Sequence, residues 1–149
     1  MTLTEKIATD LINAMKSKDK TSLEALRAAK TAFILARSEK GENSVLNQDE
    51  ELKIIQKLVK QRRESAAIYK VNNRMDLYEK EVSEADVLEK YLPAKLTAEE
   101  LIAVLKEIVA RTGAKSPADM GKVMGVATRE LAGKADGKEI SEKVRQLLG

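Results

Sequence analysis

The 149-residue chain has no cysteine, no histidine and no tryptophan, and only two prolines. Without cysteine there can be no disulfide framework, no thiolate zinc site and no cysteine nucleophile. Without histidine the commonest general base near neutral pH and the commonest metal ligand are gone as well, and only carboxylates remain to hold a hard ion. Aromatic residues make up 3% of the chain, and the scattered Tyr69, Tyr78 and Tyr91 cannot build a platform on which bases stack. No apolar run reaches the span of a membrane helix, and MTLTEKIATDLINAMK carries charges every few residues in place of an apolar signal core. The expectation is a cytoplasmic protein with no cofactor, no metal, no membrane association and no DNA partner.

What the chain does have is helical patterning. Thr2 to Glu5 reads as a capping box, and Leu3, Ile7, Leu11 and Ala14 then recur at helical spacing to about Ser17. Asp19 can cap a second helix in which Leu23, Leu26, Phe33 and Ile34 share a side, with Gly41 at its end. Asn47 and Glu50 open a third, carrying Leu52, Ile55, Leu58 and Val59 toward a core and reaching about Val71. Asn72 and Asn73 break the pattern, because Asn tolerates left-handed backbone. A fourth helix follows with Leu77, Val82, Ala85, Leu88 and Leu92, until Pro93 stops it.

Beyond Pro93, Thr97 to Glu100 reads as a full capping box with Leu96 and Leu101 as a hydrophobic staple; Leu101, Val104, Leu105 and Ile108 form the stripe. Ser116 is placed as the cap of a helix running to Ala132, with Pro117 at its first position. Gly133 ends it, and Asp136 with Glu139 starts a last helix bearing Ile140, Val144, Leu147 and Leu148. The predicted fold is all-α, with a lobe of about four helices over residues 1–93 and a three-helix tail lobe over 94–149.

Five of the seven glycines fall between Ser116 and Glu139 or just before it, among helical sequence. Gly121 and Gly125 are one turn apart, and each costs about 1 kcal/mol of helix stability relative to Ala. One reading is a smooth patch for another helix, with Gly133 and Gly137 serving turns and caps; the other is a surface that receives a nucleic-acid backbone. Lys122 and Arg129 lie seven apart on one helix side, and Lys134 and Lys138 bracket the start of the last helix, where amide groups and lysines suit phosphate. GKADGK is no nucleotide-binding P-loop, since it lacks the four-residue spacer, the Ser or Thr and a preceding strand.

YLP at Tyr91 to Pro93, DMGKVMG at Asp119 to Gly125 and GKADGK at Gly133 to Lys138 resemble the YqeY-like proteins, as do KQRRES from Lys60 and RMDLYEKEVSE from Arg74. Asn73 stands where such sequences often have Gly. The tail domain of that family is shared with the B subunit of the tRNA-dependent amidotransferase, and related modules precede some glutaminyl-tRNA synthetases. The resemblance implies an all-helical protein whose tail contacts tRNA through Lys122, Arg129, Lys134 and Lys138, close to the backbone-approach glycines Gly121, Gly125, Gly133 and Gly137.

Two further stretches carry charge. Lys53, Lys57 and Lys60 recur at helical spacing beside Arg62 and Arg63, a basic face that either tracks phosphates or is simply solvated. Glu79, Glu81, Glu84, Asp86 and Glu89 read as an ordinary exposed acidic face, although paired carboxylates can also bind Mg²⁺. The net charge of +3 permits an RNA partner without demanding one. The leading expectation is a non-catalytic tRNA-associated adaptor, with a translation-related protein partner as a further expectation. An accessory role in a glutamine-dependent carbon-nitrogen ligase reaction and a helical protein-interaction module are the alternatives, since the chain lacks a glutaminase cysteine, a phosphate loop and an amidase Ser-Ser-Lys pattern.

Overall fold

Seven α-helices and one 3₁₀ turn build the computed structural model, which describes residues 1–149: α1 (Leu3–Ser17), α2 (Lys20–Lys40), α3 (Gln48–Val71), α4 (Met75–Glu89), α5 (Ala98–Thr112), α6 (Met120–Glu130) and α7 (Gly137–Leu148), with the turn at Pro117–Asp119. They fall into two compact units, Met1–Leu92 and Pro93–Gly149.

In the first unit the helix starts follow from their caps. Thr2 and Glu5 bond reciprocally at the start of α1, as do Asn47 and Glu50 at the start of α3. Asp19 accepts from the Ser22 amide to start α2. Each such cap satisfies amide groups that the helix itself cannot. The turn between α3 and α4 places Asn73 at φ +58°, the left-handed conformation that Asn adopts readily. Ile7, Leu26, Phe33, Ile55 and Leu88 form the centre of the core, with α3 and α4 paired as a hairpin and α2 laid against both.

Three expectations for this unit are corrected. Ile34 is 58% exposed and does not share the core side of Phe33; at about 100° per residue it falls outside the stripe made by Ala25, Leu26, Ala29 and Phe33. Glu84 is buried, not part of an exposed acidic face. The last turn of α4 ends at Glu89, four residues before Pro93, and tighter bonds from Tyr91 N–H to Leu88 O and from Leu92 N–H to Glu89 O take over. Leu92 therefore lies outside the α-helix, while Pro93 still accounts for the helix end: it has no N–H for Glu89 O, and its ring crowds that carbonyl.

The second unit packs Leu101, Leu105, Ile108, Val123, Ile140 and Val144 into one apolar core. Thr97 caps α5 through the Glu100 amide, but the return bond of a full capping box is not made. Gly113 closes α5 at φ +71°, a left-handed cap that glycine adopts without strain. Ser116 makes no side-chain cap: Asp119 instead accepts from the Lys115 amide, and the predicted single helix is a 3₁₀ turn followed by α6. That helix stops at Glu130, two residues before Ala132.

Candidate nucleic-acid interface

The amphipathic pattern of α6 decides what its glycines can touch. Val123 and Ala127 turn into the core, while Gly121, Lys122, Gly125, Thr128 and Arg129 are exposed. A methyl group built on Gly121 or Gly125 would meet nothing within 4 Å. No helix of this unit presses on them, so close internal packing does not account for either glycine. Their effect is to leave one side of α6 without side-chain bulk, and at helical spacing that side also carries Lys122 and Arg129. Ala118 and Thr128 extend the same exposed side. Their small size was readable in the sequence once the apolar stripe of α6 had been drawn.

Lys134 and Lys138 belong to a different element. Both are exposed; Lys134 lies in the turn between α6 and α7, where its carbonyl accepts from the Leu96 amide, and Lys138 is in the first turn of α7. Gly133 is buried at φ +77°, so it serves the turn and not a surface. Gly137 begins α7 with open space around it. Asp136, the predicted cap, makes no side-chain bond to the first-turn amides and instead faces Lys95 at 3.8 Å. The structure thus unites Gly121, Gly125, Lys122 and Arg129 on one helix face and sets Lys134 and Lys138 apart from it along the chain.

Ion pairing separates the cations into two groups. None of Lys122, Arg129, Lys134 and Lys138 has a carboxylate within ion-pair distance, whereas Arg111 of the same unit is clamped bidentately by Glu130 at 2.5 and 2.9 Å. That clamp, with Arg129 beside it, holds the Glu130 carboxyl below its ordinary range. In the first unit Lys53, Lys57 and Lys60 are exposed. Arg62 and Arg63 are not part of that face. Arg63 bonds to Asp86 at 2.8 Å and to Glu89, and Arg62 lies 3.9 Å from the buried Glu84, with its Nε buried and unpartnered. The two arginines tie α3 to α4; alternating basic and acidic helices in one hairpin were the available signal for that pairing. No three carboxylates converge to hold a metal, and no helix is long and apolar enough to cross a membrane.

A two-unit, all-helical chain whose tail unit turns a glycine-cleared basic helix face outward defines a class of small helical proteins. The chain belongs to the family described as Yqey-like protein, which it matches over residues 4–148. It is also 30% identical to "Altered inheritance of mitochondria protein 41, mitochondrial" of Pyrenophora tritici-repentis (strain Pt-1C-BFP), over 97% of this chain and 80% of that protein.

Proposed function

We propose that this protein is a non-catalytic adaptor whose tail unit meets the phosphate and sugar groups of tRNA. The observation that carries this reading is the α6 face: two helical glycines with nothing packed on them, flanked by Lys122 and Arg129, neither with a carboxylate within ion-pair distance. A bare helix surface lets a backbone approach closely, and unpaired cations supply the sequence-independent attraction. The resemblance of the tail to the amidotransferase B-subunit tail supports tRNA over other RNA. Shape and backbone recognition suit a chain with three scattered tyrosines and no stacking platform. Within a glutamine-dependent amide transfer such a protein would act only as an accessory that presents the RNA.

Fluorescence anisotropy with deacylated tRNA, aminoacylated tRNA and an RNA duplex, each across a salt series, tests this. Preference for tRNA with a shallow salt slope is the expected result. Charge reversal at Lys122 and Arg129 should weaken binding about tenfold or more with helicity intact. Equal binding to tRNA and duplex, or unchanged affinity in the reversed variant, overturns the reading.

A further inference from the structure

On α1, Lys6, Asp10 and Asn13 stand at i, i+4 and i+7, a polar stripe beside the apolar one formed by Ile7, Leu11 and Ala14. This stripe does not face open solvent alone. It forms one wall of a cleft of about 520 Å³ whose other walls are the start of α2, at Asp19, and the end of α4, at Lys90 and Tyr91. Leu26 and Val87 supply an apolar floor. The volume lies within the range typical of small-molecule sites, which pair an apolar floor with a few convergent polar groups.

The polar groups of the cleft are unequally satisfied. The Tyr91 hydroxyl donates to Asp10 Oδ2 at 2.5 Å. Asp19 takes the Ser22 hydroxyl at 2.7 Å and the Ser22 amide at 3.1 Å. Burial, reinforced by Asp10, pushes the Tyr91 hydroxyl well above its ordinary range and keeps it a donor. Both carboxylates are therefore already engaged by internal donors. Neither Lys6 nor Lys90 has a carboxylate within ion-pair distance, and the Asn13 amide makes no side-chain hydrogen bond. Lys6, Asn13 and Lys90 are exposed at the rim of the cleft and keep donors for an anion, with the charge of Asp19 acting on Lys90 alone, while the remaining lone pairs of Asp10 can take one donor from the same ligand.

We infer that the cleft between α1, the start of α2 and the end of α4 binds a small organic anion that also carries a hydroxyl or amino group. The oxyanion, carboxylate or phosphate, sits between Lys6 and Lys90, with Asn13 donating to it. The hydroxyl or amino group faces Asp10, whose orientation the Tyr91 bond fixes. This site lies wholly in the first unit and uses no residue of the α6 face, so it stands or falls independently of the tRNA reading.

The test is two-dimensional amide NMR titration of the full chain with inorganic phosphate, glycerol 3-phosphate and L-glutamate, with sodium chloride at matched ionic strength as control. The expected result is saturable shifts at Lys6, Asp10, Asn13 and Tyr91, with glycerol 3-phosphate or glutamate tighter than inorganic phosphate; the tighter of the two identifies the oxyanion. The double substitution Lys6→Gln/Lys90→Gln should raise Kd at least about tenfold. Tyr91→Phe, which removes the bond to Asp10 but keeps the ring, should weaken the organic anions more than inorganic phosphate. Circular dichroism confirms that both variants are folded. Shifts that track ionic strength alone, that persist in the double variant or that fall outside the cleft overturn the proposal, as does inorganic phosphate binding as tightly as both organic anions.

Discussion

The two units solve the same problem, a small all-helical core, in opposite ways. The first buries charge and exposes apolar surface: Glu51 and Glu84 are the chain's buried charged residues, and its large exposed hydrophobic residues, Ile12, Ile34, Leu35, Val45, Ile68 and Val71 among them, all lie there. The second buries no charged residue, leaves no large hydrophobic residue exposed, and holds six of the seven glycines. Polar groups in a core need exact partners, whereas an apolar core tolerates approximate ones. The first unit thus places directional bonds inside its core, whereas the second keeps its inter-helix clamp, Arg111 to Glu130, at the surface.

Truncating a large core side chain in each unit produces the largest effects and sets the baseline for that contrast. Phe33, 2% exposed, and Leu105, fully buried, should lose about 3–5 and about 2–5 kcal/mol on replacement by Ala, read from urea unfolding. Similar losses in both are expected, because apolar burial follows one rule in either unit.

Directional bonds should separate them. Glu51 of α3 accepts from the Thr4 amide at 2.7 Å and the Thr4 hydroxyl at 2.6 Å, so it caps α1 from another helix. Glu51→Ala leaves both half-buried donors without an acceptor and should destabilise by about 1–2 kcal/mol, with faster hydrogen exchange at the Thr4 amide. Glu51→Gln retains an acceptor oxygen and should lose less. Equal losses in the two variants would mean that packing volume, not the bonds, is what matters there.

Glu84 sharpens the contrast through pH. Burial raises its carboxyl above the ordinary value, opposed by Arg62 and reinforced by Glu81 and Glu24. The folded chain therefore holds this proton more tightly than the unfolded chain. Through this group stability is greatest below the unfolded-state pKa and declines as pH rises through the folded-state value. Glu84→Gln removes that decline and keeps an oxygen for Arg62. Its stability relative to the parent should improve as pH rises above about 4 and level off once the folded-state carboxyl has ionised. A flat difference across that range would show that Arg62 fully offsets the burial.

These bonds also mark where the sequence stopped being informative. Most caps were legible because their partners lie three or four residues away: Thr2, Asp19 and Asn47 serve as their patterns predict, Thr97 caps without the return bond, and Ser116 and Asp136 make no side-chain cap. Partners far along the chain left no local signal. Tyr91 and Asp10 are 81 residues apart and Thr4 and Glu51 are 47 apart, and periodicity placed Leu52 rather than Glu51 toward the core. The basic stretch at Lys57 to Arg63 was visible as composition, yet only its lysines remain unpaired once α4 is in place. The all-helical architecture was legible because every stripe repeats at one period.

The smallest effect bears on the glycines. Gly125 lies in the interior of α6 with ordinary helical backbone and open space where a methyl would go. Gly125→Ala should therefore stabilise the chain by about 0.5–1 kcal/mol, and Gly121→Ala, in the first turn, by less. A destabilised variant would reveal packing on that face. The expected gain means that the glycines lower stability without any internal compensation. If the double variant is more stable yet binds tRNA more weakly with every lysine retained, the face serves contact and not folding. If tRNA affinity is unchanged, the cations alone carry binding and the glycines need a different partner to explain them.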